Sequence, residues 1–190
     1  MLFASLLFLY FYNRSASPAT LEKVLGPGAY ARCGRDRSIS SVFELVIVIN
    51  YVIYYFYPLP TPLPDKFPWP WWLSALIAVA IGVPALTLML IGVQDAGEEA
   101  LRPKKEHTMY GGIYAKIRHP QAVGEVFLWW VIAFLLHSPF LVVFSLIYFP
   151  IFIMMSFAEE QDLLWRYGEA YAEYYRNTGA FFPKKGSKHA

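Results

Sequence analysis

The stretch Gly111-Gly112-Ile113-Tyr114-Ala115-Lys116-Ile117-Arg118-His119-Pro120 leads into a long apolar run, broken only at His137-Ser138-Pro139, that closes on Glu159-Glu160. Leu163, Tyr167-Gly168, Tyr171 and Tyr174 follow. The apolar runs on either side of His137 are too long for barrel strands and lack their two-residue alternation, so each reads as a helix. Two helices joined by so tight a turn return the chain to the side it left. The polar groups around Arg118 and those around Glu159 are therefore predicted to meet at one end of a hairpin, at a membrane boundary.

Outward from that hairpin, the composition agrees. Of 190 residues, 57% are hydrophobic and only 16% charged, too little charge for a soluble domain of this length. The chain is predicted to be an all-α, multi-pass transmembrane bundle forming one domain over residues 1–190. Five apolar segments are expected, at about 1–12, 39–57, 69–93, 121–136 and 140–157. The first would reach only about 18 Å of a roughly 30 Å core. Met1–Tyr12 has no basic leader and no small-residue cleavage site, so it reads as a retained membrane segment. Trp69, Trp71 and Trp72 suit an interfacial belt. Gly82 and Pro84 are expected to kink the third segment, and Pro150 to bend the fifth. The Pro58–Pro70 stretch reads as a stiff connector.

Basic residues alternate between loops. Arg14, Lys23, Arg32, Arg35 and Arg37 follow the first segment, and only Lys66 follows the second. Arg102, Lys104, Lys105, Lys116 and Arg118 follow the third. The hairpin turn has none, and the tail carries Arg166, Arg176, Lys184, Lys185 and Lys188. The positive-inside rule then predicts five spans, an external N-terminus and a cytoplasmic C-terminus. It also places 94–120 and 158–183 together on the cytoplasmic face. Pro103-Lys104-Lys105 reads as a solvated patch near anionic lipid.

Several function classes are excluded or disfavoured. A net charge of +2 is too small to imply a nucleic-acid partner. Cys33 is the only cysteine, so neither an intrachain disulfide nor a cysteine zinc site is available. His107, His119 and the glutamates lack metal-ligand spacing, so no metal is expected. No P-loop, G-x-G-x-x-G, H-E-x-x-H or G-x-S-x-G occurs.

The polar residues at the hairpin's open end carry the chemistry. Gly111-Gly112 brings backbone N–H groups within reach of a ligand, or is a plain turn. Arg118 is either a snorkelling anchor or a forked donor for a carboxylate or phosphate. His119 is an interfacial residue or a ligand contact, and Pro120 suits a first helical turn. Glu159-Glu160 is harder to treat as surface. Acids near a helix C-terminus oppose the macrodipole, and acids at a membrane boundary are functional candidates. Being about 100° apart on a helix, the two are expected to do different jobs. Glu160, Leu164, Tyr167, Tyr171 and Tyr174 recur at helical spacing, as if on one face of a post-membrane helix that Gly168 lets bend. Glu125 is expected to face protein or a water-lined cleft.

The order G-x-Y-x-x-x-R-H-P, apolar hairpin, E-E-x-x-L-x-x-x-[FY]-G-x-x-Y-x-x-Y resembles the membrane methyltransferases related to isoprenylcysteine carboxyl methyltransferase and the phospholipid N-methyltransferases. The likeness runs from Gly112 to about Pro183. It implies S-adenosyl-L-methionine as cofactor, held between the Arg118-His119-Pro120 loop, the end of the last span and the tail. Carried over residue by residue, it implies cofactor contacts from Gly112, Ile113, Tyr114, Arg118, His119, Pro120, Glu159, Leu163 and Tyr171. Arg118, Glu159 and Glu160 would be the catalytic residues. The implied acceptor is lipid-like or prenylated, most like a protein S-isoprenylcysteine carboxyl group, and membrane lipids surround it. The chain departs from the pattern at Ile113, at Ala122 and at Arg176-Asn177. Three other readings compete: a phospholipid amine N-methyltransferase, an NADPH-dependent sterol or isoprenoid reductase, and a lipid-binding or assembly factor without chemistry.

Overall fold

The computed structural model describes residues 1–100 and 111–184. Arg102, Pro103, Lys104, Lys105, His107, Lys185 and Lys188 lie outside the described residues. Helices dominate: α1 (Leu2–Ser15), α2 (Pro18–Leu25), α3 (Gly28–Phe56), α4 (Trp71–Ala96), α5 (Pro120–Leu135), α6 (Pro139–Phe144), α7 (Tyr148–Tyr167) and α8 (Glu169–Asn177). Among the described residues there is no strand, only an isolated bridge between Ile117 and Gly179. The all-α membrane bundle expected from the sequence is thus the architecture.

Gly28–Phe56, Trp71–Ala96 and the continuous stretch Pro139–Tyr167 are long and apolar enough to cross a membrane. α1 and α5 are shorter, with 14 and 16 residues, or about 21 and 24 Å. α1 packs along α3, and α5 along α4. The boundaries differ from those read off hydropathy. α3 starts at Gly28, well before residue 39, because the polar stretch containing Arg32, Arg35 and Asp36 continues the helix beyond the apolar part.

The two expected proline effects part ways. α4 runs through Pro84 as one helix. Pro150 sits in the first turn of α7 and follows a 3₁₀ turn at Ser145–Ile147. Pro has no N–H to return to the carbonyl four residues back, and its ring crowds that carbonyl. The irregularity therefore falls just before it.

Close approach fixes the α4–α5 pair. A Cβ on Gly124 would lie 2.4 Å from the Ala85 carbonyl oxygen, and one on Gly92 would lie 2.9 Å from the Gln121 side chain. At the end of the bundle far from Arg118, Ser74 Oγ lies 2.7 Å from His137 Nδ1 and accepts from Trp69 Nε1. Ser138 caps α6 by accepting from the Leu141 N–H. The core between these ends holds Phe8, Ile47, Tyr51, Trp129, Leu141 and Tyr148, with the Trp129 and Tyr148 rings stacked 4.3 Å apart.

Gly168 corrects one expectation. Its backbone sits at φ 58°, ψ −129°, a region open essentially to glycine alone. It ends α7 outright and starts α8, so Glu160 to Tyr174 is not one helical face. Leu164 is 39% exposed while Tyr171 is buried, which a shared face would not allow.

Candidate functional site

The hairpin brings its two polar clusters into contact. Glu160 Oε1 accepts from Arg118 Nε at 2.7 Å and lies 2.8 Å from His119 Nε2. All three side chains are buried. The same guanidinium donates to the backbone carbonyls of Tyr175 and Thr178. The amides of Arg118 and His119 donate to the carbonyls of Gly179 and Ala180. Arg118 therefore ties α5, α7 and the chain after α8 into one unit, with the Tyr175 ring 4.1 Å from its central carbon.

Glu159 faces another way. Its carboxylate accepts from Tyr12 Oη at 2.6 Å and lies 3.5 Å from Arg37 Nη2. His119 Nδ1 is 3.8 Å from its other oxygen. Side-chain exposure is 30% for Glu159 against 4% for Glu160. The neighbouring acids thus divide: one is locked inside the protein, the other borders open space.

That space is a cavity of about 120 Å³ among α1, α2, α3, α5 and α7. Tyr12, Arg37, Arg118, His119, Glu159 and Leu163 line it, as do Tyr114, Ala122 and Asp162. Of the residues singled out in the sequence, Tyr114, Arg118, His119, Glu159 and Leu163 border the cavity. Gly112, Ile113, Pro120, Glu160 and Tyr171 are not in its wall. A second cavity of about 400 Å³ adjoins it, with Tyr12, Arg37, Gln121 and Glu125 common to both walls. Glu125 does face a cleft.

The Gly112 turn is held from within. Gly112 has φ 60°, and a Cβ there would fall 2.1 Å from Asp95 Oδ2. The Ile113 N–H donates to that same oxygen at 2.7 Å. The amide is therefore satisfied by α4. Tyr114 packs next to it, donating to the Gly92 carbonyl and accepting from Gln121 Nε2 at 2.8 Å. Tyr174 Oη donates to the Tyr114 carbonyl at 2.8 Å. Burial pushes the phenols of Tyr114, Tyr171 and Tyr174 upward, and nearby carboxylates add to the effect. Near neutral pH these tyrosines are uncharged.

Several participants come from the first half of the chain, where the sequence reading found nothing diagnostic. Tyr12 and Arg37 reach Glu159. Asp162 accepts from the backbone N–H groups of Ala19 and Thr20 at 3.1 and 2.8 Å, which ties the first turn of α2 to α7. Ser15 accepts from Arg37 Nε. Arg176, one of the positions where the pattern slips, bonds the exposed Glu169 and is not in the cavity wall. The other slipped position, Ala122, is in that wall.

A ligand held here would meet a carboxylate beside aromatic rings, an imidazole and a guanidinium. Those groups suit a small molecule with both an ammonium and a carboxylate. Ser156, a residue of the cavity wall, has a buried hydroxyl without a protein partner.

The family model described as phospholipid methyltransferase matches residues 73–170. That is just over half of the chain, and the chain belongs to this membrane-bound methyltransferase family. The matched region contains Arg118, His119, Glu159 and Glu160. No curated protein and no solved structure matches.

Proposed function

We propose that this member of the phospholipid methyltransferase family binds S-adenosyl-L-methionine in the cavity bordered by Glu159 and methylates a lipid-like acceptor admitted from the bilayer. The observation that carries the reading is the division between the two glutamates. Glu160 is committed to Arg118 and His119 and holds those two cavity-lining residues in place. Glu159 keeps a face toward open space. When bound, S-adenosylmethionine supplies an activated methyl group on a sulfonium.

The chain's residues then have separate tasks. Glu159 would accept from the ligand's ammonium, and its charge would favour a cationic ligand. His119, whose Nε2 is engaged by Glu160, would present its Nδ1 side to the ligand's carboxylate. Tyr12 orients Glu159 through its 2.6 Å hydrogen bond. Leu163 offers an apolar surface for the adenine. Arg118 is a positioning residue, since its donors are spent on Glu160 and on backbone carbonyls. Methyl transfer is an in-line displacement, so most of the rate comes from holding the reactants in register. Withdrawal from water helps as well, because charge is neutralised or moved during the transfer.

The second cavity is where an acceptor fits. Val48, Met89, Leu128 and Ile132 give it an apolar side, and together with the smaller cavity it adjoins it makes a space within the ~300–1,000 Å³ usual for ligand pockets. The reading is tested by incubating the purified protein in nanodiscs with methyl-labelled S-adenosylmethionine and a total membrane lipid extract. Label recovered in the lipid fraction supports it. Absence of label, with NADPH consumed instead, rejects it.

A further inference from the structure

The cavity that Glu159 borders is small for the ligand assigned to it. Its volume of about 120 Å³ is below the ~300–1,000 Å³ usual for ligand pockets. The adjoining cavity is assigned to the acceptor, so S-adenosylmethionine needs a wall to move. Most of the wall is fixed: α5 packs along α4, α1 along α3, and α7 belongs to the core. The exception is α2, which bridges α3 and α7 and contributes Pro18 to the wall. Pro18 is its one buried residue, while Val24 and Leu25 are exposed. An element with so few buried apolar contacts opens at low cost. It is also hinged at both ends. Gly26 follows it at φ 61°, with open space where a Cβ would stand, and Ala16-Ser17 separates it from α1.

What fastens α2 is a borrowed cap. The first amides of a helix have no partner within it, and the N-cap side chain ordinarily accepts from the second or third of them. Ser17 holds the cap position of α2, yet its side chain makes no cap hydrogen bond. Asp162 of α7 accepts from those two amides instead, from Ala19 at 3.1 Å and from Thr20 at 2.8 Å. Asp162 is 4% exposed and lines the cavity. A second clasp lies farther along α2, where Lys23 Nζ sits 3.4 Å from the centre of the Trp165 ring. Undocking α2 breaks both contacts, but Ser17 stands at the position from which a hydroxyl takes over the Thr20 amide.

We propose that α2 is the gate of the Glu159 cavity, held shut by Asp162 and held open by Ser17. The identity of what passes through it rests on the methyltransferase reading above. In the closed form the Asp162 carboxylate caps α2, and Pro18 completes the wall. In the open form Ser17 caps α2, the Asp162 carboxylate is hydrated, and the cavity is open between Ala16 and Leu163. Hydrogen bonds to a charged acceptor outweigh one to a hydroxyl, so the closed form prevails and opening is transient. Closure behind the ligand withdraws the site from water. Asp162 and Ser17 are positioning residues that act through α2. They set how fast the ligand enters and leaves.

The test uses the full chain in nanodiscs and two readouts. The first is modification of Ser156→Cys, in the cavity wall, by a charged, water-soluble thiol reagent. The parent, whose Cys33 is buried, gives the background. The second is the pair of rates at which S-adenosylhomocysteine binds and leaves. Asp162→Ala should raise the labelling rate and both ligand rates at least tenfold, with the ratio of the ligand rates within about threefold of the parent's. Ser17→Ala, outside the wall, should lower all three about fivefold, the worth of a cap. Asp162→Asn keeps an acceptor oxygen and should fall between Asp162→Ala and the parent. If Asp162→Ala does not fold, Asp162→Asn and Ser17→Ala still move in opposite directions. Saturating S-adenosylhomocysteine should protect the cysteine. A label response to Asp162 and Ser17 without any ligand binding supports the gate and rejects the donor reading. Labelling and ligand rates within about twofold of the parent in the folded Asp162 and Ser17 variants would overturn the proposal. So would faster ligand dissociation in Asp162→Ala with association and labelling unchanged, the pattern of a lost ligand contact.

Discussion

Arg118 Nε and Glu160 Oε1 lie 2.7 Å apart with both side chains almost wholly buried, and their bond joins the two ends of the α5–α7 hairpin. Breaking such a pair from one side strands a charge. Glu160→Ala is expected to cost about 3–5 kcal/mol. Thermal unfolding in detergent should show it as a large drop in Tm, with loss of donor binding secondary to that drop.

Glu159→Gln should behave in the opposite manner. The amide oxygen still accepts from Tyr12, so Tm should stay near the parent's. Loss of the cavity-facing charge should weaken S-adenosylhomocysteine binding by about tenfold to a hundredfold, the worth of a hydrogen bond to a charged group at ~1.5–3 kcal/mol. Calorimetric titration checks both halves, because the same sample gives its unfolding transition.

The two acids show what a sequence can carry and what it cannot. Adjacent positions on a helix point about 100° apart, so a division of labour between Glu159 and Glu160 was legible. Which one turned inward was not, since that depends on where Arg118 and His119 arrive across the hairpin. Their arrival at the same end followed from the short turn at His137. Tyr12 and Arg37 were illegible as site residues because no local pattern marks them. They reach Glu159 only through the packing of α1 and α3, at sequence separations of 147 and 122. Gly168 carried a visible helix-weakening signal, but a bend and a full stop look alike until φ is known.

The α4–α5 contact gives a third prediction. A Cβ on Gly124 meets a backbone carbonyl that has no side-chain freedom to yield. Gly124→Ala should therefore separate the helices and cost about 1–3 kcal/mol. Gly34→Ala, where open space surrounds the position, is the control and should leave Tm unchanged or slightly raised.

Alkaline pH provides a fourth. Tyr114, Tyr171 and Tyr174 have phenols shifted upward in the folded protein by burial. The folded state thus holds their protons more tightly than the unfolded state, where they ionise near 10. Their stabilising effect is complete below about pH 10 and is lost as pH rises beyond it. Tm should stay level in this respect from pH 7 to about 10 and then fall. Tyr174→Phe should make that fall shallower, at the cost of the hydrogen bond to the Tyr114 carbonyl.

The central claim is a methyl-donor site bordered by Glu159, and equilibrium binding of S-adenosylhomocysteine to the nanodisc-embedded protein tests it most directly. Saturable binding that Glu159→Gln weakens at least tenfold, with no stabilisation by NADPH, is the predicted result. Stabilisation by NADPH with no detectable S-adenosylhomocysteine binding would contradict the account.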